Sequence, residues 1–260
     1  MDLREIPSGE LVRHPWEVAR ARFFAELIAR HGPAGVPVEA LDVGAGDGYA
    51  GGILVRHLPG GSSVVCYDEY YDRDFLAAAK QSASAELTFT AERPNRRFDL
   101  LLALDVLEHV EDDASLLAGL VDDLVRPGGI VLLSVPAWPG LFTGHDVVLG
   151  HHRRYLPSEL DGLARGAGLA PLSRGGLFHS LLLPRALSRA RDLLGGKGAQ
   201  PAAHPAGAPV ETAVGSWPDR PLLTRLVNRW LTLDNRVSAW LSRSGVHLPG
   251  LSTWWLGRKP

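Results

Sequence analysis

Cysteine is almost absent from this chain of 260 residues; Cys66 is the only one. An internal disulfide is therefore excluded, and a zinc site built on thiolates is not expected. Cys66 sits in the apolar run SSVVCY, where a buried, inert thiol is expected. A basic excess is missing too. Lysine and arginine number 27 against 29 acidic residues, for a formal charge of −2, which argues against a general nucleic-acid binder. No uninterrupted apolar run of about 18 residues occurs, so no membrane span is expected. The opening MDLREIPSGELVRHPWEVAR has no apolar h-region and does not read as a secretory signal. A cytoplasmic protein is the expectation. No internal repeat is seen. What the chain has in quantity is glycine, at 29 residues, within an otherwise ordinary globular composition.

Hydrophobic periodicity sets out the organisation. Residues 15–31 read as a helix, with Pro15 in its first turn and Val18, Phe23, Phe24, Leu27 and Ile28 on one face. Strands are expected at 39–43, 63–67, 87–90, 98–104 and 130–135, alternating with helices at 49–57, 74–82 and 114–125. Pro127-Gly128-Gly129 is a turn signal before the fifth strand. Such alternation implies an α/β fold, with a mostly parallel sheet covered on both faces. Ligands in these sheets bind outside the carboxyl ends of the strands. Gly44–Gly48, Asp68, Asp105–His109 and Pro136–Asp146 each follow a strand and are expected along one edge.

The last third differs. Residues 195–221 are rich in glycine, alanine and proline, and read as a flexible loop or mobile lid. Residues 222–243 form an amphipathic pattern, with Leu226, Trp230, Leu233, Val237 and Leu241 at helical spacing. Arg225, Arg229, Arg236 and Arg243 run beside that stripe, and Arg185, Arg189 and Arg191 decorate the segment before it. A basic amphipathic helix can pack on a core, cover a greasy anionic acceptor or lie on a membrane surface. Residues 251–256 read as a closing strand. The expected division is a core at 1–175, a helical acceptor cap at 176–246 and a return to the core sheet at 247–260.

The stretch LDVGAGDGYA carries the binding argument. A dinucleotide fingerprint, G-x-G-x-x-G, fits Gly44 and Gly46 but meets Tyr49 at its third glycine. A Walker loop needs Lys-Ser or Lys-Thr after its last glycine, and Gly48 is followed by Tyr49-Ala50. Asp42, two residues before the loop, would repel a pyrophosphate and attract an ammonium group. S-adenosylmethionine has an α-amino group, a sulfonium and no phosphate. Asp68, after the second strand, is placed to accept from ribose hydroxyls.

DVGAGDG, CYDEYY, FDLLLALDVLEHVEDD and RPGGIVLLSVP together resemble the successive motifs of the class I S-adenosylmethionine-dependent methyltransferases. The match covers roughly 14–175. The resemblance implies a Rossmann-like seven-stranded sheet whose last strand is antiparallel. It implies that Asp42, Gly44, Ala45, Gly46 and Gly48 line the methionine end and that Asp68, with Glu69, holds the ribose. Glu92 is the candidate near the adenine, and Asp105 and Val106 complete the cofactor-facing set. The product would be S-adenosylhomocysteine.

DVLEH follows the fourth strand. Methyl transfer is a direct displacement, so the enzyme mainly aligns acceptor, methyl and sulfur. An oxygen or nitrogen acceptor must also lose a proton, which a histidine can take. If Asp105–His109 opens a helical turn, Asp105, Glu108 and His109 share a face. His109 can then be a general base oriented by the carboxylates, or the three can hold a divalent cation such as Mg²⁺. They can equally cap the turn without chemistry. The stretch is similar to its counterpart in the ubiquinone-pathway O-methyltransferases, where such a trio is linked to a metal.

Beyond the fifth strand, His145, Asp146, His151, His152, Arg153, Arg154 and Tyr155 lie within eleven positions. The resemblance extends here to a bacterial subgroup in which a Gly-His-Asp segment and a following Gly-His-x-Arg-x-Tyr shape the acceptor pocket. His145 and His152 are alternative bases, and Arg153 or Arg154 can hold an anionic acceptor group. The same residues can instead form an ion-paired loop with Tyr155 packed down. Trp16 is a lid candidate over the cofactor or a core anchor of the first helix.

The expected activity is methyl transfer, most readily to an oxygen of a small-molecule or peptide/lipid-linked acceptor. The alternatives are a cyclase-like enzyme that leaves the cofactor unchanged and a cofactor-binding module without catalysis. The expected partners are the acceptor, no nucleic acid, peripheral contact with a membrane at most, and a monomer or homodimer.

Overall fold

The computed structural model describes residues 13–33, 35–194, 217 and 220–260. β1 (Glu39–Val43), β2 (Ser63–Tyr67), β3 (Leu87–Thr90) and β4 (Phe98–Leu104) lie parallel, and β5 (Val125–Pro136) continues the series beside β4. β7 (Ser252–Arg258) runs antiparallel between β5 and β6 (Ala170–Leu177), giving one sheet in the order β3-β2-β1-β4-β5-β7-β6. β1 and β4 are near-continuous apolar runs, as strands buried on both faces require.

Alternation along the strands makes two cores. Ala40, Leu100, Leu102, Ile130, Leu132 and Trp254 meet Phe23, Phe24, Leu27 and Ile28 of α1 (Pro15–His31). Leu41, Leu101, Ala103, Leu133 and Trp255 meet Leu117, Leu120, Val121 and Leu124 of α4 (Asp113–Leu124), and Leu160 of α6 (Pro157–Gly166). Trp254 and Trp255 thus anchor opposite faces. α1 starts where His14 accepts the Trp16 N–H on Nδ1, with Pro15 preset for the first turn. α2 (Tyr49–Val55) and α3 (Arg73–Ser82) follow the first two strands, and α5 is the short helix Gly144–Val148.

Several boundaries shift from the sequence reading. The 49–57 helix stops at Val55. The Pro127-Gly128-Gly129 turn lies inside β5: Phe98 pairs with Val125 and Leu100 with Ile130, so the turn is looped out as a bulge around Gly128 at φ +78°. The chain of α7 (His179–Leu194) and α8 (Pro221–Arg243) lies between β6 and β7, and α8 places Leu231 and Ala239 in the α1 core. The expected lid at 195–221 falls mostly outside the described residues. Within it Trp217 packs edge-on against His14 at 4.8 Å and donates to Thr224. Cys66 is buried and free, and burial drives its thiol pKa up. Among the described residues no helix is long and apolar enough to cross a membrane.

Candidate active site

The chain turns directly out of β1 through Gly44, Gly46 and Gly48, at φ +62°, +54° and +74°. Left-handed backbone costs an L side chain about 1–2 kcal/mol, and glycine almost nothing. Space adds a second constraint. A Cβ on Gly44 would come within 2.8 Å of Val106 Cγ2, and one on Gly48 within 2.4 Å of the Phe89 ring. Gly48→Ala is expected to destabilise the fold by about 2–4 kcal/mol in urea denaturation. A change below about 0.5 kcal/mol would mean that neither the strain nor the Phe89 contact matters.

Asp68 braces this loop. Its Oδ2 accepts the Gly46 N–H at 3.0 Å and its Oδ1 the Tyr70 N–H at 3.1 Å. The loop is tied to β2 again by the Ala45 N–H on the Tyr67 carbonyl. Glu69 is exposed beside Asp68. Glu92 is exposed in the turn after β3, where its N–H and carbonyl both bond the Thr90 hydroxyl.

Asp42 is 2% exposed, and among the described residues one carboxylate oxygen has no hydrogen-bond partner. Burial pushes its pKa up to about 7, against the pull of Arg20 and the Gly51 N–H. Arg20 of α1 pairs with Asp105 and stacks 4.5 Å from the Trp16 ring. Arg13 pairs with Asp47 and lies 3.8 Å over the Tyr49 ring. Glu17, Arg20, Asp42, Gly44, Ala45 and Tyr49 surround a cavity of about 40 Å³. That is far below the several hundred Å³ of a ligand pocket, and Glu17 and Arg20 of α1 line its wall. A larger cavity, about 390 Å³, lies at the opposite, N-terminal ends of the strands among Ile28, Val38, Leu100 and Ile130. It is away from the edge where such sheets bind ligands.

The DVLEH stretch does not form the expected helical face. Asp105 takes φ +57°, and the 3-10 turn spans only Leu107–His109. Left-handed backbone sends Asp105 back toward Arg20 and the Ser134 hydroxyl. Glu108 is fully buried, and among the described residues neither carboxylate oxygen has a hydrogen-bond partner. Burial raises its pKa to about 8, with Arg20 and Arg154 opposing. His109 meets His151 edge to face at 4.7 Å. Glu108, His109 and His151 each offer one ligand atom, all within 4.8 Å of one another. His151 replaces Asp105 in the cluster anticipated from sequence.

Asp146 organises the following loop. Fully buried, it accepts from the Thr143 N–H and hydroxyl, from Arg154 Nε at 2.7 Å, and lies 3.2 Å from His151 Nδ1. Burial opposes its ionisation, but His151, Arg154 and Thr143 outweigh it and hold the carboxyl well below the usual range. Arg154 also reaches the Ala137 carbonyl. Arg153 bonds Asp113 and the Glu111 carbonyl, and the buried Tyr155 hydroxyl donates to Asp113 at 2.6 Å. His145 is half-buried, with its pKa lowered by burial and then by Arg185. His152 points to Glu111 at 3.9 Å with a 41% exposed side chain. Asp146, Arg153, Arg154 and Tyr155 therefore knit the loop together. Trp16 lies edge-on to Phe178, packed on the core and under Arg20.

The sequence reading did not single out Arg20 or Glu17, and it counted His151 among the polar residues beyond the fifth strand without giving it a role. Arg20 stands one helical turn after Trp16, a spacing that could have flagged it. His151 shows no such signal, because the short helix and turn after Asp146 create the pairing.

Both raised carboxyls have a consequence for stability. Their folded-state pKa values, about 7 and about 8, exceed unfolded values near 4. The folded chain thus holds protons that the unfolded chain releases. Their contribution is complete at pH below about 4 and is lost as pH rises through about 8. With chelator and no cofactor, the urea midpoint is expected to fall between about pH 5 and about pH 8. Glu108→Gln should flatten that slope, and an equal slope in the variant would remove Glu108 as its source.

A methyltransferase-domain family model matches residues 16–174, and the chain belongs to this family of S-adenosylmethionine-dependent methyltransferases. It is 28% identical over 211 residues to a ubiquinone biosynthesis O-methyltransferase of Cereibacter sphaeroides (strain KD131 / KCTC 12085), covering 69% of this chain and 82% of that protein. With the ubiquinone biosynthesis O-methyltransferase of Ralstonia nicotianae (strain ATCC BAA-1114 / GMI1000) it shares 36% over 108 residues, 36% of this chain but only 45% of that protein. The fold matches a Haemonchus contortus phosphoethanolamine N-methyltransferase solved with S-adenosylhomocysteine. There the TM-score is 0.52 and the identity 16%, over 92% of this chain and 52% of that one.

Proposed function

We propose that the protein transfers the methyl group of S-adenosylmethionine to an oxygen of a small-molecule or peptide/lipid-linked acceptor. The observation that carries this reading is the imidazole pair His109–His151, backed by Asp146, with His109 three residues after Val106, which packs against the glycine loop. The ubiquinone O-methyltransferases to which the chain is similar support oxygen as the acceptor atom.

In this reading the glycine loop receives the methionine end of the cofactor. Asp42 meets its ammonium group, and Arg20 leaves Asp105 to meet its carboxylate. Asp68 serves the ribose while bracing Gly46. The acceptor oxygen bonds the methyl carbon as the carbon–sulfur bond breaks, and that electron pair stays on sulfur. The hydroxyl proton goes to an imidazole of the pair, which Asp146 orients and whose charge it offsets. His145 and Arg185 line the acceptor side.

Asp42→Ala and Asp68→Ala should each weaken cofactor binding by about 10–100-fold without unfolding the chain. Because burial raises the Asp42 pKa to about 7, affinity should tighten as pH rises from about 6 to about 8. A pH-independent affinity would remove Asp42 as the ammonium partner. The reaction itself is tested with methyl-labelled cofactor and a panel of phenols, catechols and carboxylic acids. Stoichiometric S-adenosylhomocysteine and labelled acceptor are expected. Acceptor conversion with the cofactor unchanged would favour a cyclase-like reaction, and tight binding with no turnover a binding module.

A second reading is favoured by one observation: a buried carboxylate with two unpartnered oxygens beside two imidazoles. Glu108, His109 and His151 would hold a divalent cation, and this donor set suits a transition metal better than Mg²⁺. When bound it would acidify an acceptor hydroxyl. EDTA should then abolish turnover and release metal detectable by elemental analysis. Full activity in chelator would remove this reading and leave the histidine pair as the base.

A further inference from the structure

α8 has one face in the core and another bare. Leu231 and Ala239 are buried, Asn235 accepts the Phe178 N–H, and Ser238 donates to the Gly176 carbonyl. On the other side Leu222, Leu226, Trp230, Leu233, Val237 and Trp240 are exposed, the two tryptophans by 59% and 65%. Their steps of three and four residues place them on one stripe along the helix. α7 extends this surface. Trp230 Nε1 donates to the Ser180 hydroxyl at 3.0 Å, and the exposed Leu183 and Leu187 follow Ser180 on the same side of α7. Monomeric proteins seldom leave so long an apolar strip bare.

Charge identifies what covers it. α7 and α8 together carry seven arginines and two aspartates, in a chain whose formal charge is −2. Arg225 and Arg229 adjoin the stripe, exposed and without an ion pair among the described residues. The single acid of α8, Asp234, is turned inward to the Ser180 N–H. A second copy packed stripe against stripe would set Arg225 and Arg229 against their own counterparts, with no outward-facing acid on α8 to answer them. Anionic headgroups supply the missing charge. Tryptophan and leucine on one side and arginine on the flank is the pattern of a helix lying in a membrane interface.

We infer that the α7–α8 face docks the protein on an anionic lipid bilayer. α8 lies in the plane of the interface, its leucines and tryptophans among the upper acyl chains and Arg225 and Arg229 against lipid phosphates, while Arg236 stays paired with Glu26. This inference holds whichever acceptor is methylated.

The test is cosedimentation of the full chain with vesicles of phosphatidylcholine alone and of phosphatidylglycerol mixed with phosphatidylcholine. Binding to the mixed vesicles is expected, at least roughly ten-fold stronger than to the neutral ones and weakened by salt. Leu226→Glu/Leu233→Glu, at exposed positions that leave the core intact, should abolish sedimentation without changing the melting temperature. Arg225→Glu/Arg229→Glu should weaken it by roughly ten-fold or more. Equal binding to both vesicle types, or none to either, would overturn the inference. So would a dimer in light scattering that does not bind vesicles and that Leu226→Glu/Leu233→Glu splits into monomers, since the stripe would then belong to a second copy.

Discussion

His151→Ala is expected to lower kcat by about 10²–10⁴-fold while S-adenosylmethionine affinity stays within about two-fold. The size follows from the role assigned to the imidazole pair. General-base assistance acts in the transition state alone, so its loss appears in kcat rather than in cofactor binding. His109→Ala should act similarly, because the two rings meet at 4.7 Å. The double variant should lose little more than either single one, since residues acting as a unit are not additive. His152→Ala should change kcat by less than about three-fold, because its ring points outward to Glu111. Single-turnover rates with labelled cofactor separate these outcomes. Wild-type rates in both His109→Ala and His151→Ala would leave the pair without a catalytic role, as a carboxylate acceptor that needs no base would allow.

Asp146→Ala is expected to cost about 3–5 kcal/mol of folding stability, the largest effect of any single carboxylate here. Its carboxylate is fully buried and answers Arg154, His151 and two donors of Thr143. Removing it strands the Arg154 guanidinium, itself 9% exposed, in the interior. Asp146→Asn keeps the shape and loses the charge, so it should fall between wild type and Asp146→Ala. Urea denaturation at pH 7 measures both. Destabilisation below about 1 kcal/mol would mean that the Thr143–Tyr155 loop is held by other contacts.

Much of this fold is legible in the sequence because the strands announce themselves. FDLLLAL and SVVCY are short apolar runs bounded by turn residues, and six of the seven strands fall where the pattern places them, within a few residues; β6 (Ala170–Leu177), whose first half is largely exposed, is not read from it. The bulge in β5 is not legible, since Gly128 reads as the end of an element whether or not pairing resumes behind it. The glycine loop is legible in detail, because left-handed backbone and close approach of Val106 and Phe89 both demand glycine. The chemistry beyond β4 is only partly so. Helical spacing puts Asp105 with Glu108 and His109, but a positive φ at Asp105 turns its carboxylate to Arg20. His151 joins the cluster through a buried Asp146 that sequence spacing alone gives no reason to pair with it. The arginines of the HHRRY tract read either as holders of an anionic acceptor or as an ion-paired loop, and each pairs with a carboxylate once Asp113 and Asp146 are folded against them.

The central claim is that LDVGAGDGYA binds S-adenosylmethionine, and calorimetric titration of the purified chain tests it most directly. Micromolar binding of S-adenosylmethionine and S-adenosylhomocysteine is expected, with none of NADH, and binding should weaken in Asp42→Ala. Binding of NADH alone would contradict the account, and with it the roles given to Asp42, Arg20 and the residues from Asp105 to His109.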